Sequence, residues 1–159
     1  MKAFIGTFVN KIDAKGRISV PASFRGVVQA KSLTGVALYA SPVESCVEGC
    51  GMDRIDSLVE AMPDRFDQVS GTDEVAEAIL AAAREAAFDA DGRIILPEDL
   101  IAHAGLRDRG AFVGKGRVFQ IWEPDTLAAM NDARLRRIAA AQKAVPPARP
   151  AQPNKDPAR

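Results

Sequence analysis

The residues best equipped for specific chemistry form one pattern, written twice. Asp13 and Arg17 stand four apart in "DAKGR", and Asp89 and Arg93 stand four apart in "DADGR". A carboxylate at that spacing across a tight turn can fix the rotamer of an arginine. An oriented guanidinium presents paired donors that match guanine O6 and N7, a contact worth ~1–3 kcal/mol of discrimination against a wrong base. The same spacing equally suits an ordinary ion pair that brackets a hairpin turn, and spacing alone leaves both readings open. The copies extend further: "IDAKGRISVPASFR" (12–25) slides onto "FDADGRIILPEDLI" (88–101) with an offset of 76 residues. Within the shared motif one charge is reversed, since Lys15 in the first copy is Asp91 in the second.

Other chemistry finds little to stand on. The sole histidine, His103, falls in a short helical stretch with no nucleophile in a recognisable elbow around it, and no H-E-x-x-H or phosphate-binding G-x-x-x-x-G-K-[ST] occurs. Cys46 and Cys50 form a C-x3-C pair without nearby histidines, short of the four ligands a structural zinc site requires. They read as small residues in or beside a strand. "GKGRVF" around Gly114 and Gly116 reads as a hairpin turn, and Trp122 as a core or interface anchor. The expectation is a non-enzyme with no cofactor, no metal and no small-molecule substrate. Lysine plus arginine and aspartate plus glutamate number 21 each, yet the charge is uneven. Residues 1–31 carry Lys2, Lys11, Lys15, Arg17, Arg25 and Lys31 against Asp13 alone, a balance of +5, whereas residues 84–117 balance six against six. The first copy therefore suits an anionic partner, while Asp91, Glu98 and Asp99 mark the second as a place that repels phosphate.

These motifs need elements to hold them. Each copy reads as strand, D-x-x-G turn, strand, a proline that ends the strand and opens a short helix, and then two further apolar strands. The first such unit spans 7–54 and the second 83–126. A helical connection (55–82) lies between them, with Ile55, Leu58, Val59 and Met62 at helical spacing, a break at "PDRFDQVSG", and a second helix over "TDEVAEAILAAAREAA" capped by Thr72. A C-terminal helix follows over 127–143, opening at Pro124, and a proline-rich tail over 144–159 is expected to be disordered. A unit of about 45 residues buries too little apolar surface alone, so the two should fold against each other. The fold class expected is mainly β with flanking helices (α+β), as an intertwined, double-split swapped-hairpin β-barrel. No stretch approaches the ~20 apolar residues of a membrane helix, and "MKAFIGTFVNK" lacks a signal peptide's apolar run and cleavage site. A cytoplasmic protein without membrane partners is expected.

"DAKGRISVP" and "DADGRIILP" resemble the D-x-x-G-R-hydrophobic-x-hydrophobic-P signature of the AbrB/SpoVT swapped-hairpin DNA-binding superfamily. Two copies in one chain, with "LYASP" between them and "GKGRVFQIWEP" after the second, closely resemble the MraZ family of bacterial transcriptional regulators over residues 3–143. The "ESCVEGCGMDRID" segment departs from the more aliphatic strand typical of that family. The resemblance implies a ring-shaped homo-oligomer, nucleoid-associated, that binds G-rich direct repeats in double-stranded promoter DNA. It implies repression of the division and cell-wall operon that includes its own gene. On it, Arg17 is the expected base reader, Asp13 its orienting partner, Lys15 a base or phosphate contact, and Lys11, Lys2 and Arg25 backbone contacts. Asp89 and Arg93 are expected to be a structural hairpin pair. Two other functions fit the same chain: a protein-interaction or assembly module, and a DNA-binding antitoxin of the AbrB type.

Overall fold

Each turn of the repeat is fixed by its own aspartate and glycine. Asp13 Oδ1 accepts from the backbone N–H groups of Lys15 and Arg17 at 3.0 and 2.9 Å, and the Gly16 N–H reaches back to the Asp13 carbonyl at 3.0 Å. Asp89 repeats these bonds to Asp91, Arg93 and Gly92. Gly16 and Gly92 take φ of +78° and +74°, a left-handed conformation that a side chain would strain. The chain therefore reverses sharply at both sites and sends a strand back.

The structure, a computed structural model, describes residues 2–62 and 73–144. The first unit runs β1 (Thr7–Lys11), β2 (Arg17–Ser19), α1 (Ala22–Gln29), β3 (Gly35–Ala40) and β4 (Val47–Cys50). Helices α2 (Met52–Ala61) and α3 (Glu74–Ala82) lead to the second unit: β5 (Arg84–Ala87), β6 (Arg93–Ile95), α4 (Glu98–Ala104), β7 (Arg109–Gly114) and β8 (Phe119–Trp122). Helix α5 (Pro124–Ala144) follows. By compactness the chain divides into Met1–Leu127 and Ala128–Arg159, and the described part of the second piece is helical. The break expected at 63–71, a cap at Thr72 and the tail from Val145 lie outside the described residues. The α3 cap itself is Asp73, whose carboxylate accepts from the Val75 and Ala76 N–H groups.

The two units are intertwined. In the six-stranded sheet the order is β1-β7-β8-β4-β3-β5, and β2 pairs with β6 in a separate ribbon. Each unit thus lends its first strand to the other: β1 lies on β7, and β5 on β3. The ribbon centres on Ile18 opposite Ile94, which are each other's counterparts in the repeat, so a pseudo-twofold axis passes between them. Reciprocal bonds frame that axis: Leu96 N–H to the Gly16 carbonyl (2.8 Å) and Val20 N–H to the Gly92 carbonyl (3.1 Å).

The α+β class and the intertwined tandem units match expectation, with the barrel open along its hydrogen bonds. β1 and β5 remain the two ends of the sheet, and the ribbon closes over the core between them. Ile12, Ile18, Val20, Ile94 and Leu96 from this region join Phe24, Phe112 and Phe119 in one buried cluster. Phe4 meets Phe24 and Phe119 edge-on at 5.3 and 5.1 Å, a favourable aromatic geometry. A smaller cluster of Ala37, Tyr39, Cys50 and Ile55 packs under α2 and α3.

One stretch departs from its local preference. "REAA" (84–87) continues an alanine-rich helical pattern, yet it forms β5 in register with Leu38 to Gly35. Pairing with an otherwise bare edge of β3 outweighs a helix propensity of a few tenths of a kcal/mol per residue. Position 84 is also where the repeat demands the counterpart of β1. Among the described residues no helix is long and apolar enough to cross a membrane.

Candidate nucleic-acid interface

The β2–β6 ribbon presents one face inward and one outward. Ile18 and Ile94 point into the core, at 0% and 1% exposure. Alternation then places Arg17 and Ser19 of β2, with Arg93 and Ile95 of β6, together on the outward face. Register sets Arg17 opposite Ile95 and Ser19 opposite Arg93. The antiparallel pairing puts the two D-x-x-G turns at opposite ends of the ribbon.

The two arginines share a frame and differ at their tips. Arg17 Nε donates to Asp13 Oδ2 at 2.6 Å, and Arg93 Nε donates to Asp89 Oδ2 at 2.9 Å. Both carboxyls are held below the usual carboxylate range, first by the backbone N–H of the partner arginine, then by its guanidinium and the second N–H in the turn. In the second hairpin Arg93 Nη2 also donates to Asp91 Oδ2 at 3.1 Å, which closes the outer edge of its guanidinium. In the first hairpin that position is Lys15, which is exposed. Among the described residues, no acceptor meets the terminal nitrogens of Arg17. The first guanidinium is therefore oriented and open, the second oriented with one of its two terminal nitrogens taken.

The remaining candidate residues are spread more widely. Lys11, at the end of β1, is exposed and paired in register with Arg109 of β7, a cation that spacing alone did not single out. Lys2 lies beyond Phe4, which bridges to Gly116 at the opposite end of β1 from the first turn. Arg25 does not reach the first hairpin. Helix α1 crosses to the second, where Arg25 Nη1 donates to the Asp91 carbonyl at 3.3 Å and its guanidinium lies over Gly92. The exchange is mutual: Ile101 of α4 lies 3.6 Å from where a Cβ on Gly16 would stand.

This exchange changes the local electrostatics. Sequence adjacency assigned Glu98 and Asp99 to the second hairpin, but Leu96 bonds to Gly16 and Ile101 packs near it, so α4 opens beside the first turn. Asp99 is ion-paired with Arg84 at the start of β5, whose partnership lowers its carboxyl from the ordinary value. The acidity of the second turn comes from Asp89 and Asp91, and Arg25 offsets part of it. A crossed connection between pseudo-symmetric units leaves no local signature; only the repeat, read as a demand for mutual packing, hints at it.

Other reactive groups are placed for packing. Cys46 and Cys50 are free and buried at 0% exposure, with burial pushing both thiols up to about 12. His103 Nε2 lies 3.2 Å from the Glu44 carbonyl, tying α4 to the β3–β4 loop. Trp122 is buried and its Nε1 donates to Gln120 Oε1 at 2.9 Å. Among the described residues, no three metal-ligating side chains gather as a metal site would require.

Comparison with known proteins supplies the remaining observation. A family model described as "MraZ protein, putative antitoxin-like" matches residues 79–145. The chain is similar to a Rhodospirillum rubrum protein named transcriptional regulator MraZ, with 46% identity over 141 residues, covering 87% of this chain and 91% of the relative. A Parvibaculum lavamentivorans protein of the same name is 43% identical over 140 residues, covering 87% and 86%. One from Rickettsia akari is 40% identical over 125 residues, covering 78% and 83%. All three alignments are longer than either unit of the repeat.

Proposed function

This chain belongs to the MraZ family of transcriptional regulators, and from that premise we propose that it binds promoter DNA sequence-specifically through its first hairpin. The observation that carries the proposal is the contrast between Arg17 and Arg93. Asp13 orients Arg17 while leaving both of its terminal nitrogens open beside Lys15, whereas Asp91 takes one of the two terminal nitrogens of Arg93. Two parallel donors on a fixed plane suit guanine O6 and N7.

In this reading Arg17 reads a base and Asp13 holds it in place. Lys15 adds a base or phosphate contact at the tip of the turn. Lys11, Lys2 and Arg25 are proposed as phosphate contacts, which position the protein without reading sequence. Their placement spreads those contacts along β1 and across to the second hairpin. Asp89 and Arg93 keep a structural role: the residues 7–54 read and the residues 83–126 complete the frame.

We further propose a homo-oligomeric ring on direct repeats upstream of the chain's own operon of division and cell-wall genes, acting there as a repressor. Direct repeats call for head-to-tail neighbours, and a head-to-tail contact that closes makes a ring. Neighbouring hairpins would then enter successive major-groove faces about one helical turn (~34–36 Å) apart. The test is Arg17→Ala in a gel shift on DNA from upstream of the gene. Specific binding should be lost with the melting temperature nearly unchanged, and retained specific binding would overturn the proposal.

A further inference from the structure

The outward face of the ribbon carries three polar side chains and one apolar one. Arg17, Ser19 and Arg93 are the kinds of residue that water or a phosphate would meet. Ile95, directly opposite Arg17, is 62% exposed. The repeat sharpens the anomaly. The counterpart of Ile95 in the first copy is Ser19, a polar residue at the equivalent place beside Arg93. Nothing in the packing of β6 asks for an isoleucine there, because its inward neighbour Ile94 already fills the core.

Ile95 is also held firmly at the first turn although it belongs to the second unit. The next residue, Leu96, donates its N–H to the Gly16 carbonyl at 2.8 Å, stapling β6 to the turn that presents Arg17. Directly opposed residues on one face of an antiparallel pair have Cβ atoms about 4.5–5.5 Å apart. Successive bases along a strand rise about 3.4 Å. A side chain beside the guanine-reading arginine therefore falls over the adjacent base. In the major groove the one apolar feature of a base edge is the C5 methyl of thymine, and an aliphatic side chain is its natural contact. The groove is wide enough to admit a two-stranded ribbon.

We infer that Ile95 is a specificity-determining residue that contacts the methyl group of a thymine next to the base pair read by Arg17. The inference rests on the DNA-binding reading of the first hairpin and deepens it. It makes the reading surface composite, with Arg17 from the first unit and Ile95 from the second, and gives the pseudo-symmetric partner a share in recognition through its strand instead of its arginine.

The experiment uses the full chain as wild type, Ile95→Ala and Arg17→Ala. Wild-type protein first selects preferred sequences from a random duplex library. Each thymine in a selected duplex is then replaced in turn by deoxyuridine, which lacks only the methyl. The expected result is one position, adjacent to an Arg17-dependent guanine, where losing the methyl weakens wild-type binding about four-fold, the value of one buried methyl-sized group. Ile95→Ala should bind thymine and uracil there equally, with its melting temperature unchanged. If wild type selects no sequence, the DNA reading fails and this inference falls with it. If selection yields Arg17-dependent guanines but Ile95→Ala keeps the full thymine preference, or no methyl matters, the inference alone is overturned.

Discussion

Installing the second hairpin's acid in the first should silence it. In Lys15→Asp, the new carboxylate stands where Asp91 stands relative to Arg93, and Asp91 Oδ2 takes a guanidinium Nη2 at 3.1 Å. The turns match in their backbone bonds and glycine φ values, so the introduced acid should capture Arg17 in the same way. Two effects then act together on DNA binding. If Arg17 reads guanine as proposed, one of its donors is diverted, which should remove ~1–3 kcal/mol of base discrimination and give about a five- to 150-fold loss on the preferred sequence. The tip also changes from cation to anion, so any phosphate contact of Lys15 is lost and the salt slope of log affinity should fall by about 0.9. The fold should hardly respond, because the site is exposed; a melting shift under about 2 °C is expected. Fluorescence anisotropy on a labelled upstream duplex, at several salt concentrations, measures both binding quantities. Wild-type affinity with an unchanged salt slope in Lys15→Asp would show that the open guanidinium edge does not separate the two hairpins.

Three further outcomes follow from the geometry. Asp13 and Asp89 have folded pKa values below the ordinary carboxylate value, so the stability they contribute is present above that value and is lost as pH falls through the folded pKa. Melting temperature should therefore drop below about pH 4, and Asp13→Asn with Asp89→Asn should flatten that drop; an unchanged acid profile would contradict the assignment. Gly92→Ala should destabilise by at least about 1 kcal/mol, because φ is +74° and the new methyl collides with the Arg25 guanidinium. Adding Arg25→Ala should recover part of the loss in denaturant melts, and full additivity would argue against that contact. Cys46 and Cys50, with thiols pushed up to about 12, should resist iodoacetamide in the native protein and label fully when unfolded. Rapid native labelling would show that the strand opens.

Much of the fold was written locally, and the rest was not. The turns were legible because Asp13, Gly16, Asp89 and Gly92 each have a distinct conformational job. Strands such as "GVALYA" and the glycine end of α4 at Gly105, with φ of +62°, were legible for the same reason. The boundary at "REAA" was hidden because its alanines favour helix and only a distant strand, β3, makes them β. The exchange of α1 and α4 between hairpins was hidden for a deeper reason. Arg25 is 66 residues from Asp91, and in a twofold-related pair adjacency in sequence says little about which copy a helix will cover. For the site, the Asp–Arg pairs and the reversal at Lys15 and Asp91 were readable from spacing. The same adjacency hid that α4 opens beside the first turn, where Leu96 bonds to Gly16. Ile95 passed unnoticed because an isoleucine in a strand looks like core until the register shows which way it points.

The proposed reading of DNA by the first hairpin through Arg17 is open to a single decisive experiment, nuclease footprinting upstream of the gene. Wild-type protein should give a short series of protections recurring about once per helical turn, and Arg17→Ala, folded and assembled to the same mass, should give none. The same protections with Arg17→Ala would show that Arg17 does not read the DNA.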